Sequence, residues 1–293
     1  MAATRILLRA DGRLKRSFRN PEATTAKLLK RRYPGPATMP GKLTRLCTVQ
    51  QTLLGGHTVF TLTPKVGGTG TELIYTHGGA YVNPLVRPHW SLIRALIAAS
   101  GVTVTVPLYG LAPEHTVDQA LPFLQSVYQQ VLARAQGRRL YLGGDSSGGA
   151  LALVQAVHYR STGLPSPAGL VLISPWVDVT MTNPAIPGLE KRDPTLAAAG
   201  MAAAGLLWAG ARGGLDPDVS PLFADLSGLP DARIVQGDRD ILAADTDRLT
   251  RKLRDTGVDI ETRLYAGAFH VFVGAPTLPE SRDALMWLAS MLH

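Results

Sequence analysis

Of the 293 residues only one, Cys47, is a cysteine, so no intrachain disulfide can form and a cysteine-based zinc site is excluded. Nothing in the chain needs an oxidising compartment, and the cytoplasm is the expected location. Long apolar runs are missing too. In the N-terminal segment the longest is Ile6-Leu7-Leu8, too short for the hydrophobic region of a signal peptide and far too short to span a bilayer. No Gly-Lys-Ser or Gly-Lys-Thr follows a glycine-rich turn, and no acidic residue stands at ribose-binding distance, so a phosphate-cradling site has no support. Neither a cofactor nor a metal is expected. Acidic residues are scarce at one end: the first 32 residues carry ten of the 30 Lys/Arg but two of the 22 Asp/Glu. The net charge of +8 therefore sits entirely there. The segment reads first as a solvated helical face, with a weak membrane-surface contact as the alternative. It lacks interleaved aromatics, and no nucleic-acid partner is expected.

What is present describes an ordinary globular chain, with 45% apolar and 18% charged residues. From about residue 46 onward, short β-rich runs alternate with helical patterns, which predicts a mainly parallel sheet covered by helices. Eight strands are expected, at Arg45–Gln50, Thr58–Thr63, Glu72–Thr76, Val102–Pro107, Leu140–Gly143, Gly169–Ile173, Arg233–Gln236 and Ile260–Tyr265. The first two look like an antiparallel start. Helical stripes run through Leu121, Leu124, Tyr128, Val131 and Leu132, through Leu249 and Leu253 with Gly257 as the C-cap, and through Leu285, Leu288 and Leu292. Two segments break the rhythm: the basic N-terminus, residues 1–45, and residues 181–215, with an Ala-rich helix. Both are expected to cover one end of the sheet, dividing the core into 46–180 and 216–293.

The chemistry centres on Gly144-Asp145-Ser146-Ser147-Gly148-Gly149. A strand pattern, "LYLGG", precedes it and a helical one, "GGALALVQAV", follows. In the nucleophile elbow of α/β-hydrolases the serine occupies such a turn, whose backbone crowds the positions two before and two after it. For Ser146 these are Gly144 and Gly148; for Ser147 they would be Asp145 and Gly149. Ser146 is the better nucleophile, and Ser147 offers its backbone N–H. A hydroxyl needs a base, and the base an acid to fix its tautomer, in the chain order Ser, Asp/Glu, His. Three histidines follow Ser146. His158 lies on the helix leaving the elbow and His293 is the last residue, whereas His270 follows the final strand. The acid should follow the preceding strand, where Asp238 and Asp240 both qualify and Asp245 looks like the N-cap of the next helix. The pattern does not decide between Asp238 and Asp240. An oxyanion hole needs bare backbone N–H groups, and "THGGAY" after the third strand supplies them. His77 there precedes the serine and is expected to brace the loop, and His57, His89 and His115 are expected to be structural.

These residues resemble the hormone-sensitive-lipase-like family of α/β-hydrolase esterases. His77-Gly78-Gly79-Ala80 is similar to its His-Gly-Gly-Gly loop, the elbow to its Gly-Asp-Ser-Ala-Gly-Gly, and "YGLAPEH" at Tyr109–His115 to its Tyr-Arg-Leu-Ala-Pro-Glu-His segment. "SPWVDVT", "SPLFADLSGLP", "GDRDIL" and "FHVF" follow in the family's order, so the likeness runs from about residue 70 to the C-terminus. It implies an α/β-hydrolase fold: a mostly parallel eight-stranded sheet with helices on both faces and a helical cap. It also implies Ser146 as nucleophile, His270 as base, Asp240 as acid, and the N–H groups of Gly79, Ala80 and Ser147 as oxyanion donors, with Gly78 giving the turn its freedom. Three positions depart from the pattern: Ala80 for glycine, Ser147 for alanine, and Gly110 for arginine, which removes an ion-pair partner from Glu114.

The expected function is a serine carboxylesterase that works through an acyl-enzyme on small-to-medium acyl esters or lactones. The sequence also admits a homodimer. Rival readings are an interfacial lipase docking through the basic N-terminus and a non-catalytic small-molecule-binding protein on the same fold. The resemblance implies that such a binder, like the plant gibberellin receptors, lacks the histidine that here is His270. A trypsin-like protease fails on the order of its triad and on cysteine count.

Overall fold

In the computed structural model of the chain, residues 15, 18–31 and 35–293 are described, and most of the basic segment lies outside them. Eight strands, β1 (Cys47–Leu54), β2 (His57–Pro64), β3 (Glu72–Thr76), β4 (Thr103–Pro107), β5 (Leu140–Asp145), β6 (Gly169–Ile173), β7 (Ala232–Gly237) and β8 (Ile260–Tyr265), form one sheet in the order β1-β2-β4-β3-β5-β6-β7-β8. β2 pairs antiparallel with β1 and β4. From β4 to β8 every pairing is parallel. The order reverses between β3 and β5, and in open α/β sheets ligands bind outside the carboxyl ends at such a point.

Alternation of side chains explains why these runs sit mid-sheet. Ile74, Leu142, Leu170 and Ala232 are register partners in series and join one apolar cluster, with helices α4 (Val117–Ala135), α5 (Ser147–Ser161) and α8 (Ala243–Asp255). Their strand neighbours Leu73, Tyr141 and Val171 point the other way, into a second cluster with α2 (Gly41–Leu46), α3 (Arg87–Ser100) and α9 (Pro279–Ala289). Strands apolar on both sides need helices on both faces. Of the expected stripes, Leu121, Leu124, Tyr128 and Val131 on α4, Leu249 and Leu253 on α8, and Leu285 and Leu288 on α9 are buried; Leu132 is half-buried, and the buried Leu292 lies past the end of α9.

Three further helices are α1 (Pro21–Leu29), the short α6 (Ile186–Glu190) and α7 (Ala198–Ala209), and α1 packs against α7. The Gly200 N–H donates to the Phe18 carbonyl at 2.8 Å, bringing the segment before α1 against α7.

The first strand begins later and runs further than Arg45–Gln50. Residues 41–46 form α2, whose Leu43 is fully buried, and β1 then continues to Leu54. The mostly exposed Gln50-Gln51-Thr52-Leu53 has no apolar alternation; it is a strand because the turn at Gly55 and Gly56, both in the left-handed region, pairs it with β2.

Candidate active site

Ser146 sits between β5 and α5 with φ 54° and ψ −124°, outside the regions an L-residue adopts readily. Its N–H donates to the Ile173 carbonyl at 2.8 Å and its carbonyl accepts from the Trp176 N–H at 3.0 Å, so the strained turn is fastened on both sides to the end of β6. The turn folds α5 back on β3. A Cβ at Gly144 or Gly148 would strike the Thr76 carbonyl, and at Gly148 also the His77 carbonyl. Small residues are thus required where the sequence has them. Asp145 is committed elsewhere: its carboxylate accepts from the Tyr75 hydroxyl (2.5 Å) and the Gly78 N–H (3.1 Å) and pairs with His89 Nε2 (3.3 Å). Burial opposes its charge, yet His89 and these donors hold its carboxyl down at about 2.

The loop after β8 brings His270 to the serine. Its Nε2 lies 3.0 Å from Ser146 Oγ and its Nδ1 2.8 Å from Asp240 Oδ2. Asp240 is fully buried; Oδ2 also accepts from Gln236 Nε2 (2.8 Å), and Oδ1 from the Leu242 N–H (2.9 Å). Burial by itself would lower the pKa of His270, but the carboxylates of Asp240, Asp193 and Asp145 outweigh it and leave it raised. Asp238 faces away, accepting the Gly267 N–H at 2.7 Å. Of the two aspartates the pattern left open, Asp240 is the one bonded to His270. Asp245 is not an N-cap: α8 starts at Ala243, because the Ala243 N–H bonds the Asp240 carbonyl and begins the turn earlier. Asp245 lies buried in the first turn, accepting from Asn183 Nδ2 and Arg248 Nη1.

The glycine-rich loop after β3 lies beside the elbow. Gly78 is needed for room more than for freedom: its N–H is spent on Asp145, its φ is not left-handed, and a Cβ would strike Asp145. Gly79 (φ 130°), Ala80 (φ 56°) and Tyr81 (φ 61°) are the unusual ones. Among the described residues, the N–H groups of Gly79, Ala80 and Ser147 donate to no protein atom. His77 braces the loop: Nδ1 lies 2.7 Å from the Gly78 carbonyl and the ring stacks on Tyr109 at 4.7 Å. Burial, then the charge of nearby His89, lower its pKa to about 4, so it stays neutral. Of the other histidines, His89 pairs with Asp145, His158 bonds Gln125, and His57 packs on His115 and Phe123. Gly110 leaves no space for an arginine, since a Cβ there would meet the His115 ring, and Glu114 is exposed to solvent.

Asp193 was not anticipated. It lies in the 181–215 insertion, 2% exposed. Oδ1 accepts from the Thr195 N–H, the Thr195 hydroxyl and the Leu196 N–H, while Oδ2 accepts from the Ile241 N–H at 2.9 Å, next to Asp240. Burial and the nearby Asp240 charge raise its pKa. Asp-Pro-Thr is a turn signal that hints at the Oδ1 bonds; nothing local hints at Ile241. A strained serine, a histidine bonded to it and to a buried carboxylate, and unpartnered N–H groups form the constellation of nucleophilic acyl transfer.

Comparison with known proteins agrees. A family model described as alpha/beta hydrolase fold matches residues 73–274. The LipR protein of Mycobacterium tuberculosis is 33% identical over 250 residues, covering 83% of this chain and 80% of that one. An esterase of Acinetobacter venetianus is 32% identical over 235 residues, covering 77% and 76%. Among solved structures, EstE5 soaked with p-nitrophenyl butyrate superposes with a TM-score of 0.83 at 27% identity, covering 99% of this chain and 96% of that one.

Proposed function

The chain belongs to the hormone-sensitive-lipase-like branch of the α/β-hydrolase family and is a carboxylesterase, and from that premise we propose that Ser146, His270 and Asp240 are its nucleophile, base and orienting acid. The observation that carries the assignment is His270 bonded at once to Ser146 Oγ (3.0 Å) and Asp240 Oδ2 (2.8 Å). Ser146 Oγ attacks the ester carbonyl carbon as its proton passes to His270 Nε2, and Asp240 stabilises the imidazolium through Nδ1–H. The N–H groups of Gly79, Ala80 and Ser147 receive the oxyanion. Collapse expels the alcohol with the proton from His270 and leaves an acyl group on Ser146, and water then repeats the sequence.

The proposed substrates are small-to-medium acyl esters or lactones. Support comes from the 181–215 insertion, which with the segment up to residue 45 we assign as a cap over the core of 46–180 and 216–293. Trp208 of α7 stacks on Tyr81 with centroids 4.4 Å apart, setting an aromatic wall beside the loop. A single, buried Cys47 suits a reducing cytoplasm; among the described residues no helix is long and apolar enough to cross a membrane. Hydrolysis of p-nitrophenyl butyrate, with fluorophosphonate labelling at Ser146, tests the reading. Ser146→Ala is expected to lose about 10⁶ in rate and all labelling, and a variant retaining a tenth of the activity would overturn it.

A further inference from the structure

Ser147 carries a hydroxyl that the reaction does not use. It is fully buried on the first turn of α5, and its Oγ accepts the Tyr81 N–H at 3.3 Å across from the oxyanion loop. The loop needs holding there. Ala80 and Tyr81 are consecutive non-glycine residues in the left-handed region, a conformation that persists only where the surroundings enforce it. Other bonds grip the loop by its carbonyls: Tyr109 Oη donates to the His77 carbonyl (2.6 Å), the Asn83 N–H to that of Gly79 (2.8 Å), and the Ala112 N–H to that of Tyr81 (2.9 Å). Among the described residues, Ser147 Oγ is the acceptor that takes an N–H from the strained pair. Without it a buried donor would lose its partner.

We propose that the Ser147 hydroxyl is a positioning group that fixes the oxyanion loop against the elbow, so that one residue sets the distance between the two halves of the hole. This rests on the active-site reading above. The Ser147 N–H belongs to one half, and its Oγ holds the strained Ala80–Tyr81 pair, which carries the Ala80 N–H of the other, so the loop keeps its shape with alanine at position 80. Losing the hydroxyl leaves the ground-state contacts of the substrate in place and loosens donors that act on the developing oxyanion, so kcat falls and KM does not.

The test compares wild type, Ser147→Ala, Ala80→Gly and the double variant on p-nitrophenyl butyrate, with the affinity of an alkylboronic acid as a tetrahedral mimic. Ser147→Ala is expected to lower kcat about 3- to 10-fold, with KM within twofold and boronate affinity falling by the same factor as kcat. Because glycine removes the strain at position 80, the loss from Ser147→Ala should be less than half as large in the Ala80→Gly background. Unchanged kcat, a loss confined to KM, unchanged boronate affinity, or an equal loss in both backgrounds would each overturn the proposal. Should Ser147→Ala not fold, Ser147→Cys, a similar volume with a weak acceptor, faces the same criteria. An inactive wild type would instead overturn the esterase reading; an active wild type with an indifferent Ser147 overturns only this inference.

Discussion

Replacing Asp240 by asparagine separates two things the carboxylate does: holding the His270 tautomer and supplying charge. Three donors converge on it, Gln236 Nε2 and His270 Nδ1 at Oδ2 and the Leu242 N–H at Oδ1. An amide has one oxygen, and placing it at the Oδ2 position satisfies two donors while its NH₂ opposes one. The reverse orientation satisfies one and opposes two. The first is therefore favoured, and it leaves Nδ1–H donating and Nε2 free to take the serine proton. What is lost is the charge, since a neutral acceptor makes a bond about half as strong as a carboxylate does. The expected fall in kcat/KM is about 10²-fold, well short of the ~10⁴-fold seen where the tautomer reverses. The pH profile supplies the second readout. His270 must be neutral to act as base, and its pKa is raised, so wild-type kcat/KM should fall as pH drops through a value above the ordinary histidine 6.5. In Asp240→Asn the acid limb should move to lower pH. Asp238→Asn, whose carboxylate serves Gly267, should move neither quantity appreciably. A loss under fivefold with an unmoved limb would refute the role of Asp240; a ~10⁴-fold loss would refute the amide orientation argued here.

Gly148→Ala drives a Cβ into the Thr76 and His77 carbonyls, backbone atoms that cannot step aside, and should cost about 3 kcal/mol or more in thermal or urea unfolding; Gly188→Ala, in open space on α6, should be neutral or stabilising by a few tenths. Trp208→Ala removes a fully buried ring from its stack on Tyr81, with an expected loss of about 3–5 kcal/mol, whereas Trp208→Phe keeps the stack and should cost clearly less. Arg134→Ala leaves the 2% exposed Glu72 with only Arg138, 3.8 Å away; because Arg134 is itself 37% exposed, the loss in urea unfolding should be about 2 kcal/mol.

The parts of the fold legible in the sequence are those whose cause is local. β3 to β6 announce themselves because strands buried on both faces must be apolar or β-branched throughout. The elbow does so because its crowding admits only small residues at positions 144 and 148. The bounds of β1 did not, since much of it faces solvent and it owes its length to a hairpin turn and a partner strand. The start of α8 was displaced for a related reason. Asp245 looks like a cap by type, but the backbone carbonyl of Asp240 had already begun the turn, and the Asp240 carboxylate reaches forward to the Leu242 N–H.

That same geometry shows why the carboxylate bonded to His270 could not be read from its own neighbourhood. Asp238 and Asp240 are both turn carboxylates after β7, and what separates them is what lies opposite: the Gly267 N–H for one, the His270 ring for the other, both on the far side of β8. Asp193 extends the point. Its oxygen meets the Ile241 N–H 48 residues downstream, so the peptide beside Asp240 is held by a side chain from the inserted segment. With Ile241 N–H spent on Asp193 and Leu242 N–H on Oδ1, the backbone beside Asp240 offers Oδ2 no donor. Oδ2 is thereby left to Gln236 and His270, and Asp193, one buried carboxylate from the chain between β6 and β7, favours Oδ2 as the oxygen of Asp240 that faces His270.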